Sequence, residues 1–359
     1  MKVKLSEGGC TDGFASVLIR WQKQHGRHDL PWLGTQDPYR VWLSEIMLQQ
    51  TQVATVRSYY QQFLARFPDV LNLASAPLDD VLSLWSGLGY YSRARNLHRC
   101  AQQMQSQYGG HFPATAALLQ TLPGIGPSTA AAIASICFGE RVAILDGNVK
   151  RVLARYLGFD ADLALAKNER ALWQHATDLL PRTDVQRSMP HYTQAVMDLG
   201  ATVCTPKLPR CADCPLRPHC QAALLQYPEK FPVKTRKLKR SAQTLWLLVA
   251  HTAQGAVWLS RQPAPGVWGG LYCVPLFDSR QSLLAALPVG AKECTDDVPP
   301  FKHVLTHKDL YLHPVRLMLP ADGAPDAAGA WVQPSRWPAL GLPAAVRKLL
   351  NDQVASISR

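Results

Sequence analysis

From about Phe14 to Gln226 apolar residues recur at three- and four-residue spacing, as in the runs Tyr39 to Gln62, Leu78 to Leu84, Ala94 to Tyr108 and Ser128 to Phe138, and that period predicts amphipathic helices. Turn signals at Phe67-Pro68-Asp69, Gly109-Gly110 and Leu157-Gly158 separate them, so an all-helical region is expected. The segment Glu229 to Arg240 holds Lys230, Lys234, Arg236, Lys237, Lys239 and Arg240 around Pro228 and Pro232, and reads as an exposed basic linker. Beyond it the pattern turns strand-like at Thr244 to Ala250 and Val257 to Ser260, with helices expected at Ser282 to Leu287 and Ala344 to Val354, which makes the second domain α+β. No internal repeat is present, and Pro320 to Ala330 is a small-residue loop.

Composition narrows the class. The 359 residues are 47% hydrophobic and 18% charged, which suits two folded domains with ample core. Net charge is +12 with 38 Lys and Arg against 26 Asp and Glu, so a polyanionic partner is favoured and an anionic membrane surface is the competing one. Arg20, Lys23, Arg27 and Asp29 interrupt the amino-terminal region before a secretory apolar run forms. No stretch approaches the roughly 20 apolar residues of a spanning helix. A soluble, intracellular protein is expected, where thiols stay reduced and clustered cysteines hold metal more readily than disulfides.

Four cysteines do cluster. Cys204, Cys211, Cys214 and Cys220 stand at C-x6-C-x2-C-x5-C, a spacing at which thiolates need a cation to offset their repulsion. Only Cys211 and Cys214 form the close pair typical of zinc sites, which leans the reading toward an iron–sulfur cubane. Cys10, Cys100, Cys137, Cys273 and Cys294 are scattered and are expected to be ordinary free thiols.

Several further groups suit DNA chemistry. Leu122-Pro123-Gly124-Ile125-Gly126-Pro127-Ser128 sets two glycines ahead of an Ala-rich helix, a hairpin whose N–H groups and helix dipole suit a DNA phosphate. Asp146 in Asp146-Gly147-Asn148-Val149-Lys150-Arg151 starts another helix; it suits an N-cap, and the dipole would keep it ionised to stabilise a developing cation. Glu45 lies in Trp42-Leu43-Ser44-Glu45-Ile46-Met47-Leu48, otherwise apolar for most of two turns. Burial there would raise its pKa and make it a general acid; partial exposure on an amphipathic helix is the plainer alternative. Gln49, Gln50, Thr51 and Gln52 are expected on the same helix, where amides reach base edges. Leu88-Gly89-Tyr90-Tyr91-Ser92-Arg93-Ala94-Arg95 interleaves rings and cations, suited to a wedge in a base step with arginines on phosphates.

Taken together, Leu30-Pro31-Trp32, Val41 through Glu45, Met47 through Val53, the hairpin, Ile144 through Leu153 and the four cysteines resemble the adenine-specific mismatch glycosylases called MutY, within the helix-hairpin-helix glycosylases. The resemblance resumes more loosely at Gly266-Val267-Trp268-Gly269-Gly270-Leu271-Tyr272. It implies a multidomain protein: an all-α helix-hairpin-helix glycosylase core with an iron–sulfur cluster subdomain, then an α+β Nudix-like domain. The implied boundaries are 1–228 for the core (barrel-like part about 30–145, cluster part about 1–29 plus 146–228), 229–240 for the basic linker and 241–359 for the Nudix-like domain. The last lacks the glutamate-rich helix that would bind catalytic magnesium, which implies recognition without hydrolysis.

The resemblance also implies a reaction, removal of adenine opposite 8-oxoguanine or guanine from double-stranded DNA, which prevents G:C to T:A transversions. Adenine leaves poorly, so it must be flipped out and protonated before its glycosidic bond breaks. By resemblance Glu45 protonates N7, Asp146 stabilises or captures the oxocarbenium-like sugar, and Asn148 orients Asp146 or the water. Gln49, Gln50, Tyr90, Gly124, Gly126, Ser128, Lys150, Thr306 and His307 are the implied DNA contacts. A [4Fe–4S] cluster is implied on Cys204, Cys211, Cys214 and Cys220, in a monomeric, cytoplasmic, nucleoid-associated protein. Where endonuclease III-like glycosylase-lyases carry their Schiff-base lysine this chain has Ser128, which cannot form an imine. Lys150 is the nearby amine able to react slowly with an abasic sugar. A non-catalytic iron–sulfur DNA sensor is the third reading, opposed by the presence of both Glu45 and Asp146. The loop that inspects 8-oxoguanine reads Leu305-Thr306-His307 where the family often has Phe-Ser-His: the hydroxyl and imidazole are matched and the ring is lost. His303 and His307 lack further ligands for a metal pair.

Overall fold

The computed structural model describes residues 13–235, 239–263, 266–288 and 290–357. Cys10 and, within the basic segment, Arg236 and Lys237 lie outside the described residues. In chain order the helices are α1 (Phe14–His25), α2 (Pro38–Leu48), α3 (Val53–Arg66), α4 (Val70–Ser75), α5 (Leu78–Leu84), α6 (Ser92–Tyr108) and α7 (Ala116–Leu119). They continue with α8 (Pro127–Phe138), α9 (Gly147–Leu157), α10 (Ala166–Asp178), α11 (Val185–Thr202), α12 (Gln221–Leu224), α13 (Arg280–Ala285) and α14 (Ala344–Ile357). The strands are β1 (Ser241–His251), β2 (Val257–Arg261), β3 (Tyr272–Cys273), β4 (Leu276–Phe277), β5 (Thr295–Asp297), β6 (Phe301–Val304), β7 (Lys308–Met318) and β8 (Ala330–Val332). The chain thus passes from helices to a mixed α/β region, as the change of period predicts.

Two compact units form, Met1–Gln61 with Cys100–Lys237, and Gln62–Arg99 with Leu238–Arg359. The division falls inside α3 and inside α6. In the first unit, the apolar faces of α1, α8, α9, α10 and α11 meet in one core around Leu18, Ala131, Leu153, Leu172 and Leu199. The boundaries of these helices follow local chemistry. Asp37 caps α2 by accepting from Tyr39 N–H at 2.9 Å, Pro127 opens α8 where a missing N–H costs nothing, and Gly158 ends α9 in the left-handed region. The start of the basic segment packs on this unit: Phe231 is buried beside Ala154 and Ala222, and Val233 accepts a backbone bond from Leu163 at 3.0 Å.

One expected helix is two. The run from Tyr39 to Gln62 breaks after Leu48, because Gln49 leaves helical ψ and Gln50 turns left-handed at φ 57°. Gln49 to Gln52 therefore form a turn and do not continue α2. The apolar periods on either side stay nearly in phase, and no Gly or Pro marks the break, so the pattern alone reads through it.

In the second unit β1 runs parallel to β7 over its whole length, from Ser241 opposite Lys308 to His251 opposite Met318. β1 also pairs antiparallel with β2 and β4, β7 with β5 and β6, and β2 with β3 and β8. Side chains alternate between faces. Leu245, Leu247, Val249, Leu310 and Leu312 pack with Val346, Leu349 and Leu350 of α14, while Leu248, Ala250, Val315 and Leu317 pack with Leu283 and Leu287 at α13.

Candidate active site and nucleic-acid interface

In the helical unit Glu45 projects from α2, whose other central residues Trp42, Leu43, Ile46 and Met47 are buried. The carboxyl enters the wall of a cavity of ≈ 1040 Å³ that is also lined by Arg27, Trp32, Ser44, Leu48 and Gln194. No described residue hydrogen-bonds it; burial first, then the nearby Asp146 charge, pushes its pKa up to about 7. A carboxyl so placed is protonated in an appreciable fraction at neutral pH and faces open space. Glu45 is half-buried, so the partial exposure expected of an amphipathic helix is present, and the exposed part lies at the cavity.

Asp146 caps α9, accepting from Val149 N–H at 2.7 Å. Burial raises its pKa, against the opposing pull of the Val149 and Asn148 N–H groups and the charges on Arg151 and Lys150. Burial outweighs these donors and cations, so the net shift is upward from the usual carboxylate range. Asn148 directs its side-chain oxygen to Arg151 Nη2 at 2.9 Å. It reaches Asp146 through its backbone N–H.

Sequence reasoning overlooked what lies behind these groups. Arg151 also donates to the Cys204 carbonyl and the Gly200 carbonyl, each at 2.7 Å. Arg155, one turn on, donates to the carbonyls of Thr205 and Pro228 at 2.7 and 2.9 Å and approaches Cys204 Sγ at 3.4 Å. The helix that Asp146 caps is thus bolted to the cysteine loop. Their i, i+4 spacing in α9 was the available signal, masked because arginines in a basic chain read as DNA contacts. The buried Asp198 accepts from two cavity-lining side chains, Arg27 Nη2 at 2.8 Å and Gln194 Nε2 at 2.8 Å, a network with no sequence motif.

Cys204, Cys211, Cys214 and Cys220 line a single small recess with Arg155, Arg210 and Arg217. Among the described residues no three His, Cys, Asp or Glu side chains converge on one point as a lone ion requires. Four cysteine sulfurs around one recess, with Arg155, Arg210 and Arg217 beside them, are a donor set that would suit a cluster taking one cysteine per iron. Cys100, Cys137, Cys273 and Cys294 are free, as expected, and burial pushes the Cys100 and Cys137 thiols up to about 12.

The hairpin stands between α7 and α8, with Gly124 left-handed at φ 78° and Gly126 at the N-cap, both exposed. Ser128 is turned inward, its hydroxyl accepting from Leu145 N–H at 3.2 Å. Gln49 donates to Thr129 on α8 at 3.4 Å, whereas Gln50 is exposed. Lys150 Nζ pairs with Glu169 at 2.6 Å.

In the second unit Tyr90 adopts φ 49° and its hydroxyl meets that of Thr306. Thr306 and His307 are exposed in the turn joining β6 to β7. The expectation that Arg93 and Arg95 grip phosphates is corrected. Arg93 is buried, donates to the Leu88 and Gly89 carbonyls at 3.1 and 3.2 Å and lies over the Trp85 and Tyr90 rings; Arg95 donates to the Gly269 carbonyl at 3.0 Å. The loop's own carbonyls, turned inward at the left-handed Gly89 and Tyr90, take up Arg93, whereas Arg95 is taken up by a carbonyl of a distant segment.

Comparison with known proteins places this geometry. Residues 43–177 match the HhH-GPD superfamily base excision DNA repair proteins, and residues 245–352 match the NUDIX domain. An adenine DNA glycosylase from Buchnera aphidicola subsp. Acyrthosiphon pisum (strain APS) is 34% identical over 345 residues, 94% of this chain and 97% of the relative. The adenine DNA glycosylase of Homo sapiens is 45% identical over 219 residues, 58% of this chain and 39% of the relative. A solved thermostable thymine-DNA glycosylase superposes with a TM-score of 0.52 at 28% identity, covering 59% of this chain and 95% of that one. Among the described residues no helix is long and apolar enough to cross a membrane.

Proposed function

The chain belongs to the adenine DNA glycosylase family, and we propose that it hydrolyses the N-glycosidic bond of adenine opposite 8-oxoguanine or guanine in duplex DNA, as a step of base excision repair. The observation that carries this reading is Glu45: an acid with a pKa of about 7, set in the wall of a cavity beside a second carboxylate. Glu45 donates its proton to N7 of an extruded adenine, which turns the base into a neutral leaving group. As the bond breaks, positive charge develops on the sugar, and ionised Asp146 stabilises it or captures it before water completes hydrolysis. Held by two backbone N–H groups, Asp146 needs little reorganisation at that moment. Asn148 contributes one of those N–H groups and braces the turn through Arg151.

Cys204, Cys211, Cys214 and Cys220 would hold a [4Fe–4S] cluster, which would supply a cross-link within the loop 204–220 that Arg151 and Arg155 tie to α9. Gly124 and Gly126 offer backbone N–H groups to a phosphate, with Gln49, Gln50, Ser128 and Lys150 on the same unit near the bound strand. Tyr90, Thr306 and His307 inspect the opposite base. In this division of labour residues 1–228 excise, 229–240 link, and 241–359, joined by Tyr90 of the core, recognise without hydrolysing nucleotides. The glycosylase-lyase reading is disfavoured by Ser128, whose hydroxyl forms no imine and is occupied by Leu145 N–H.

Single-turnover excision on a duplex with adenine opposite 8-oxoguanine, each time point split between alkali and none, tests the proposal. Strand breaks only after alkali are expected. Breaks without alkali would move the chain to the lyases, and no excision by cluster-loaded, DNA-bound protein would leave the sensor reading.

A further inference from the structure

We propose that Asp198 keeps Glu45 able to give up a proton by holding the guanidinium of Arg27, which lines the same cavity, away from the Glu45 carboxyl. This rests on the general-acid reading of Glu45 above and deepens it. Asp198 on α11 is fully buried and accepts from three N–H groups of one residue: Arg27 N at 3.1 Å, Nε at 2.8 Å and Nη2 at 2.8 Å. Gln194 Nε2 adds a fourth bond at 2.8 Å. A tie between α11 and the chain that leaves α1 needs only the backbone bond. The other two Arg27 bonds fix where a charge stands. Asp198 acts through Arg27 and is a positioning residue.

The charged groups around Glu45 differ in how far their influence carries. Lys23 on α1, His28 just after it, and Arg187 and His191 on α11 share the cavity but are exposed, so water and salt screen them. Cys137 on α8 and Asp146 before α9 also act on Glu45; burial pushes the Cys137 thiol up to about 12, which leaves it uncharged at neutral pH. Arg27, with 23% of its side chain exposed, is the cation whose charge a drier wall leaves strong. An arginine keeps its proton throughout the working pH range, so a guanidinium that loses its partner must find another acceptor. The Glu45 carboxyl, open to the same space, is that acceptor. Such a pairing would favour the ionised form, lower the Glu45 pKa by roughly one to three pH units and leave no proton for adenine. Burial and the Asp146 charge set the value of about 7, and among the described residues no cation opposes them.

The test is the pH profile of single-turnover excision by the full-length, cluster-loaded protein on adenine opposite 8-oxoguanine. In the parent, excision should decline as pH rises through about 7. Asp198→Asn keeps the shape and removes the charge. Its decline is expected at least about one pH unit lower, with excision down about tenfold at about pH 7.5 and within about threefold of the parent at about pH 5. Asp198→Ser carries the same expectation and serves where the asparagine variant does not fold. Adding Arg27→Met removes the cation, and the decline should return to the parent position. A rate that falls equally at every pH, with the decline unmoved, makes Asp198 a structural tie only and overturns the proposal, as does a lowered decline that survives Arg27→Met. A parent that excises adenine with no decline through about pH 7, or that excises none, removes the general-acid reading of Glu45 instead.

Discussion

The surroundings of the two carboxylates in the helical unit are opposites. Glu45 stands in an apolar stretch of α2, opens on a cavity and takes no hydrogen bond from a described residue. Asp146 is held by the Val149 and Asn148 N–H groups at the start of α9, and that helix is fastened through Arg151 and Arg155 to the cysteine loop. Both carboxyls are raised by burial, but only Asp146 has donors and cations opposing the rise. A proton donor is best left unsatisfied, since each hydrogen bond to its carboxylate would lower its pKa and make it the weaker rescuer of a poor leaving group. A group that answers a developing cation is best fixed, since orientation at the moment of charge development supplies the stabilisation.

The strongest attack on this contrast is Glu45→Gln, expected to slow single-turnover excision by about 10²–10⁴-fold, the usual worth of a general acid, while DNA affinity stays within about twofold. Excision close to the parent rate would sink the role. Asp146→Asn comes next, with a loss of roughly 10²–10³-fold. Asparagine caps a helix as well as aspartate does, so its melting temperature should match the parent; a fall in stability equal to the fall in rate would reduce Asp146 to a cap.

Acidity sharpens the comparison further. With the protonated form of Glu45 reactive, excision should decline as pH rises through about 7, approaching about tenfold per pH unit. The same shift affects stability. The unfolded carboxyl ionises near 4.5 and the folded one near 7, so the native state binds more protons in that interval and stability is lost as pH rises across it, by at most about 3 kcal/mol. Melting curves of Glu45→Gln should lack this slope, and a parent protein whose stability is flat from pH 4.5 to 7 would contradict the shift. The smallest effect is expected from Gly200→Ala. A Cβ there meets Asn148 Cβ at 2.8 Å, so α11 or the start of α9 must move, at about 1–3 kcal/mol. Excision should fall several-fold with the pH profile unchanged, since Asp146 is disturbed and Glu45 is not; a shifted profile would mean that the two sites are not separable.

Much of this was legible in particular residues. The helical period, its replacement after Arg240, the glycine hairpin, the Asp146 cap and the cysteine spacing are all local signals, and each element appears close to where its pattern puts it. The break at Gln49–Gln52 was not legible, because no breaker residue marks it and the left-handed turn at Gln50 answers to packing: Gln49 is drawn to Thr129, eighty positions away. Arg93 and Arg95 were misread for a related reason. Charge in a sequence has no direction, and only the placement of the Leu88 and Gly89 carbonyls against Arg93 and of the Gly269 carbonyl against Arg95 shows that these cations face protein.

What the sequence by itself determined is the inventory: two fold types in order, the residue types that bring a proton, a counter-charge and four thiolates, and the family that combines them. Its signals are short-range, carried by propensities, caps and spacings within a few turns of chain. What only the tertiary structure decided is the state of those groups. That Glu45 reaches about 7 while its neighbour is held by donors, that Arg151 and Arg155 serve the cysteine loop, and that Lys150 answers to Glu169 all depend on which distant segments exclude water around a charge. Burial and Coulomb terms are sums over space, and a sequence lists neighbours along only one of its paths.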